Sequence, residues 1–328
     1  MIVSFYDKNL ELITVISRWV SLLGVNTYNS MGAFTLELRS NSNISQLMKD
    51  FFYCTIDNDD ENPYIVMSVQ SVDGNVVFTG FPCTYIFSKR ASTTTIKNKN
   101  AEQAMKSLVD GMTPWDNLTT APVQGLTDVF DNQISDKQVL EYLQGIAQST
   151  DTGFKVVKEG ENLVFKCFKP SVNNNVKYAT SLRNVSNLEY FKSENDYCNV
   201  AIVAGAGEGS NRITVIAAMN EKPAGTNRRE LYVDARNVQP EENETTEDYK
   251  QRLKQVGLQK LTEMLKVENL HFLVKESDDV KLGDIINVSL DEFDISIQAR
   301  VVEEQILNQN NTTVRTISVG TPINIRRI

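Results

Sequence analysis

Residues Ala201–Asp234 read AIVAGAGEGSNRITVIAAMNEKPAGTNRRELYVD. Two apolar runs of strand length, Asn199–Ala204 and Arg212–Met219, flank a loop with glycine at 205, 207 and 209, and the stretch closes on Arg228, Arg229 and Asp234. A dinucleotide loop, G-x-G-x-x-G, needs glycine at 210, where Ser210 stands, and a helix after it. Here the loop runs into RITVIAAM, a β pattern, so no helix N-terminus faces a pyrophosphate. No lysine-serine pair follows, which excludes a P-loop. The stretch therefore reads as strand, loop, strand, with Gly205, Gly207 and Gly209 placed where the backbone visits positive φ. Glu208, Arg212, Arg228 and Arg229 then either tie the loop together or contact a neighbouring subunit.

The length of 328 residues exceeds what one hydrophobic core usually organises. A formal charge of -9 disfavours non-specific binding to a phosphate backbone or an acidic membrane surface. No apolar run reaches the roughly 18 residues that span a bilayer, and MIVSFYDKNLELI lacks the basic start and long apolar region of a signal peptide, so neither membrane anchor nor export is expected. Cys54, Cys83, Cys167 and Cys198 are far apart, without a CxxC pair, and read as reduced, buried small hydrophobes. His271 is the single histidine, which removes two-histidine metal motifs and leaves one residue for any Ser/His/Asp triad. It sits in LHFLVKES among apolar neighbours and reads as a residue of a strand or helix end.

Upstream, Met1–Tyr6, Leu10–Val20 and the alternating Ala33–Arg39 read as strands, with Asn41–Phe52 as a short helix. The acidic turn Asp57–Asn62 lacks the glycine and distant glutamate of a calcium loop. Tyr64–Val72 and Asn75–Gly80 flank Asp73-Gly74, a hairpin signal, and Cys83–Ser88 reads as a further strand. Asn100 caps the helix AEQAMKSLVD, which Gly111 stops, and Ser135 caps a second helix, Asp136–Gln148. Trp115, between Pro114 and Pro122, reads as a plug on the body or, in the rival reading, as a recognition aromatic. Phe154–Val157 and Asn162–Phe168 form a hairpin, and Ser171–Asn175 is a polar link before extended chain. Beyond the glycine stretch, Thr245 or Thr246 caps a helix to about Lys266, and Glu241, Glu242, Glu244, Glu247 and Asp248 are explained by helix initiation. His271–Val274, Asp284–Leu290, Ile295–Glu304 and Thr313–Val319 read as strands, with Leu282-Gly283-Asp284 an entry turn.

At GAGEGSNR, 205–212, and RRELYVDAR, 228–236, the chain resembles the siphovirus Gp37-like family: tail hub proteins of long-tailed bacteriophages and phage-tail-like bacteriocins, relatives of the contractile-tail baseplate hub. DKNLELI (7–13), SLLGVNTYNSMGAFTLEL (21–38), SKR (88–90), AEQAMKSLVD (101–110), VKLGDIINV (280–288) and ARVVEEQI (299–306) resemble other family segments in the same order. Lys89-Arg90 and Leu23 depart from the more usual Arg-Arg and tryptophan. The resemblance implies a mainly β fold: a first β-barrel-like hub domain over 1–94, an α+β module over 95–190, and a second β-barrel-like region over 191–328 with a long helix inserted at about 246–266. The barrels are expected to exchange distant strands. It implies a homotrimer in the virion tail or tail-like particle, presenting six pseudo-equivalent domains under a hexameric tube. Its partners are tail tube or distal tail protein rings above and spike, fibre or other baseplate proteins below, with DNA passing the channel unbound. Interface candidates are Gly205, Gly207, Glu208, Gly209, Arg212, Arg228, Arg229, Asp234, Gly283 and Asp284. No catalytic group, cofactor or metal is expected. The rivals are a receptor- or carbohydrate-binding tail protein, using Trp115 and Tyr232, and a cell-wall hydrolase, using carboxylates such as Glu208 and Asp234. For the hydrolase, the end at Ile328 is expected to leave no room for a further domain.

Overall fold

The computed structural model describes all residues except 41–49, 95, 97–98, 127–128, 131–136, 151, 219–222, 243, 265, 275–278, 294 and 321–328. The expected helix over 41–52 lies on the excluded residues as far as 49, with 50–52 not helical, and the Ser135 cap lies on excluded residues too. The chain parts into two compact units, Met1–Tyr190 with Asn269–Ile328, and Phe191–Glu268. The sequence reading places joints at 94 and 190; the two units part after Tyr190 and again after Glu268.

The first unit opens with β1 (Val3–Tyr6), β2 (Leu12–Ile16), β3 (Ser21–Thr27), β4 (Ala33–Arg39), β5 (Tyr53–Ile56), β6 (Tyr64–Val72) and β7 (Asn75–Pro82). They hydrogen-bond in the order β3-β4-β7-β6-β5-β1-β2, every pair antiparallel. Period-two alternation sets the burial: Phe34, Leu36 and Leu38 turn inward with Val3, Phe5, Leu22, Cys54 and Phe78. The β6–β7 turn takes left-handed conformations at Asp73 (φ 49°) and Gly74 (φ 79°), as the Asp-Gly signal implies. Of the expected strand Leu10–Val20 only Leu12–Ile16 is strand, β2, and β3 begins beyond it at Ser21.

Cys83–Ser88, expected as a strand, is a 3-10 turn over Cys83–Lys89. Cys83, Ile86 and Phe87 bury one side of it, a helical spacing that a short apolar run conceals. It packs with α1 (Ala101–Gly111), β8 (Leu118–Thr120), α2 (Val139–Thr150) and the hairpin β9 (Gly153–Glu159) and β10 (Asn162–Phe168) around a shared core. Asn100 caps α1 by accepting from the Glu102 and Gln103 amides, and Gly111 is the last helical residue. The second helix begins at Val139, later than expected, because Lys137–Gln138 pairs with Ala91–Ser92 in a short ladder. Glu102, fully buried, binds Lys106 at 2.6 Å and accepts from the backbone amides of Gln124, Gly125 and Leu126. Lys106 also donates to the Pro122 carbonyl, so this ion pair fixes the proline-rich loop to the helix. Trp115 donates to the Tyr53 hydroxyl at 2.8 Å, which plugs its loop onto the β layer.

The chain continues through β11 (Val172–Ala179) and β12 (Ser186–Ser193), crosses the second unit in β13 (Val200–Ala204), β14 (Thr214–Ala218), β15 (Glu230–Asp234) and α3 (Thr246–Thr262), and returns. The last strands are β16 (Val267–Val274), β17 (Ile285–Leu290), β18 (Ile295–Gln309) and β19 (Thr312–Gly320). Ser171–Asn175, read as a link, lies mostly in β11, which pairs parallel to β17. β18 has 15 residues and two allegiances. Its first half pairs with β17 (Ile285↔Arg300 to Leu290↔Ile295), and its second half with β3 (Glu303↔Thr27 to Gln309↔Ser21). A bulge between Val301 and Glu303 separates the halves, and β19 runs alongside both. The first half gives Ala299 and Val301 to the core of Tyr178, Phe272, Ile286 and Val319, while the second half pairs with β3, whose Leu22 lies in the core of Phe34 and Phe78. Trp19 adds a bond to Asn308 at 2.8 Å.

Candidate functional site

The unit over 191–268 is a three-stranded sheet under one helix, with β13 central, β14 antiparallel and β15 parallel to it. Ala201, Val203, Val215, Ala217 and Val233 meet Tyr249, Leu253 and Leu261 of α3. The helix lies close because of Gly257: a Cβ there would stand 2.6 Å from Val203 Cγ2 and 2.9 Å from Ala217 Cβ. Thr245 caps α3, and Arg252 pairs with Glu244 at 2.7 Å, so two features of the acidic segment serve helix initiation. The helix ends at Thr262, a turn before Lys266.

Gly207 (φ 105°) and Gly209 (φ 55°) occupy the left-handed region that only glycine enters cheaply. Gly205 is needed for room instead, since a Cβ would stand 2.5 Å from the Tyr249 hydroxyl. That hydroxyl accepts from the Ala206 amide and donates to the Val238 carbonyl. Arg212 closes the loop: Nε donates to the Gly205 carbonyl at 3.0 Å, and Nη2 donates to the Ala204 carbonyl at 2.9 Å and to Asp234. Nη1 donates to the Tyr232 hydroxyl at 3.0 Å. Asp234 also binds Arg236, and these guanidiniums, Arg236 first, hold its carboxyl well below the usual range. Glu208 is exposed and stands apart from this knot.

Arg228 and Arg229 lie at the other end of β13, beside Val200, which pairs with Glu230. Arg228 binds Glu230, and Arg229 binds Glu194, which also takes Lys266. Asn199 accepts from the Arg229 amide and donates to the Asn227 carbonyl. A five-residue strand separates the two arginine groups by about 13 Å. The candidate residues therefore form two clusters. Gly283 and Asp284 belong to the first unit, where Gly283 turns at φ 87° and Asp284 accepts from Lys281 N and Asn173 Nδ2. Arg236 and Asn199 were missed by the sequence reading, which took Tyr232 only as a sugar-stacking aromatic of the rival reading. Arg236, two residues past Asp234, is the one with a local signal.

The open face of this sheet carries a row that crosses all three strands: Ile202 lies opposite both Ile216 and Tyr232. Ile216 is 57% and Tyr232 61% exposed.

Elsewhere, His271 Nδ1 lies 2.7 Å from Ser318 Oγ, the beginnings of a catalytic pair. The nearby carboxylate of Glu303, however, accepts from Ser318 and does not orient the ring, which is not the arrangement of a triad. The 57–62 turn is tied by Lys158 to Asp60 and by Lys155 to Glu61, and among the described residues no cluster of ligands could hold a metal ion. Cys54, Cys83 and Cys167 are buried and free, with burial pushing the Cys167 thiol up to about 12, whereas Cys198 is half-buried. Among the described residues no helix is long and apolar enough to cross a membrane.

The mainly β architecture is shared with solved phage tail proteins. The 43 kDa tail protein of prophage MuSo2 from Shewanella oneidensis superposes with a TM-score of 0.60 at 13% identity, covering 98% of this chain and 96% of that one. The tail protein from Neisseria meningitidis MC58 gives 0.58 at 14% identity, with 97% and 96% covered. Prophage tail protein gp18 from Listeria monocytogenes EGD-e gives 0.53 at 12%, with 100% and 95% covered. No curated protein matches the chain in sequence. The class is that of phage tail and baseplate structural proteins. Within it, the chain belongs to the Siphovirus ReqiPepy6 Gp37-like protein family, whose pattern it matches over residues 2–321.

Proposed function

We propose that this chain is the structural hub of a tail tip or baseplate: a homotrimeric ring that joins the tail tube to distal spike or fibre components and adapts six-fold to three-fold symmetry. The observation that carries the reading is β18, one strand serving two β layers with separate cores. Two such barrel-like layers per chain make six in a trimer, the number a hexameric tube requires, and sharing β18 holds them in one unit. Heterologous contacts between like copies close such a ring without any reacting group. The acidic balance of -9 suits a channel that DNA passes without sticking. The test is electron microscopy of the purified chain, alone and with its tail tube protein. Rings of three copies capping the tube are expected; a chain that stays monomeric in that mixture overturns the reading.

A further inference from the structure

We propose that copies of this chain meet through the unit over 191–268, front to back: the open sheet face of one copy seats against the helix side of the next. The inference rests on the trimeric reading above and adds the surface by which the copies hold each other. An apolar row of Ile216, Ile202 and Tyr232 on a small sheet loses water-exposed area only if something covers it. The outer strands β14 and β15 each bond to β13 alone in this sheet, and β14, TVIAA, carries no charge to discourage a neighbour.

Charge selects the occupant. At -9, two copies repel unless the meeting faces differ in sign. On the open face Arg212 and Arg236 share the single carboxylate of Asp234, which leaves a surplus positive charge beside Tyr232, and the Arg236 side chain is 68% exposed. On the helix side of the same unit, Glu242 is exposed before the first turn of α3 and Glu247 within it, where Glu247 also stands 3.7 Å from Lys250. Face-to-face docking would set the arginines against their own copies, whereas front-to-back docking sets them against carboxylates. Such a contact is heterologous, so it builds a ring rather than a pair. The face is small: three strands of five residues project about 240 Å², against roughly 800 Å² per partner in a stable complex. One contact alone is weak, and closing the ring, where every copy uses both sides, is what makes it persist.

The test is sedimentation velocity over a wide concentration range. The wild-type chain is expected to form trimers, and the variant Ile216→Glu/Tyr232→Glu to fall to monomers or to dissociate already at about tenfold higher concentration. Both side chains are mostly exposed, and unchanged circular dichroism and melting would show that the fold survives. Glu242→Lys/Glu247→Lys should weaken the trimer similarly, and adding Arg236→Glu to it should restore association. Trimers that persist unchanged in both variants overturn this inference and leave the trimeric reading standing. A wild-type chain that is monomeric at every concentration overturns this inference, and the mixture with tail tube protein then decides the trimeric reading.

Discussion

At the scale of the residue, two carboxylates show how context decides what a charge does. Glu102 is buried, and burial opposes its ionisation, yet its bonds to Lys106 and to the amides of Gln124 and Leu126 outweigh that and hold its carboxyl below the usual range. A depressed folded-state pKa gives stability that is present above the unfolded value of about 4.3 and is lost as pH falls through the folded one. The urea midpoint should therefore hold from neutral pH to about 5 and fall below about 4, and Glu102→Gln should flatten the part of this slope that Glu102 contributes. At pH 7 the same variant leaves the Lys106 charge buried without its partner, and about 3 kcal/mol of stability should be lost in urea titration. Asp234, exposed and shared by two arginines, is different: its neutralisation should loosen the loop more than it lowers global stability. In Asp234→Asn, faster amide exchange is expected at Gly205 and Ala235, with the core of the first unit unchanged.

At the scale of the element, α3 and its sheet depend on two glycines for different reasons from those of the turn. Gly205 and Gly257 keep space free for Tyr249 and for Val203 and Ala217. Gly257→Ala sets two effects against each other. Helix propensity favours alanine by about 1 kcal/mol, while forcing a methyl group to within 2.6 Å of Val203 costs about 1–3 kcal/mol. The packing term wins, so a net loss is expected, and Gly257→Val should lose more. Melting followed by amide exchange in β13 and β14 measures it. The sequence reading took Gly205 as a turn glycine and passed over Gly257, because a close approach of helix to sheet leaves no trace in local spacing.

At the scale of the whole molecule, the separate core of residues 191–268 gives that unit its own stability, while β18 couples the two β layers of the first. Phe78→Ala removes a fully buried ring from the first layer and should cost about 3–5 kcal/mol. Because β18 spans both layers, exchange protection in β17, which belongs to the other layer, should fall with it. Protection in β13 should stay within error. A fall in β1 to β7 alone would show that the layers unfold independently.

Sequence alone determined what local chemistry can specify. Alternation placed β4, the Asp73-Gly74 signal set a hairpin turn that does adopt positive φ, and Asn100 and Thr245 capped helices where expected. These signals act within a few residues, where the backbone geometry is fixed. Tertiary structure decided which strand lies beside which: the parallel partners of β13 and β11, the division of β18 between β17 and β3, and the placing of Arg212 with Asp234 but far from Arg228. Long-range pairing is chosen by the burial of whole faces against the entropy of closing long loops, and many partners satisfy the same alternating pattern until the three-dimensional packing selects one.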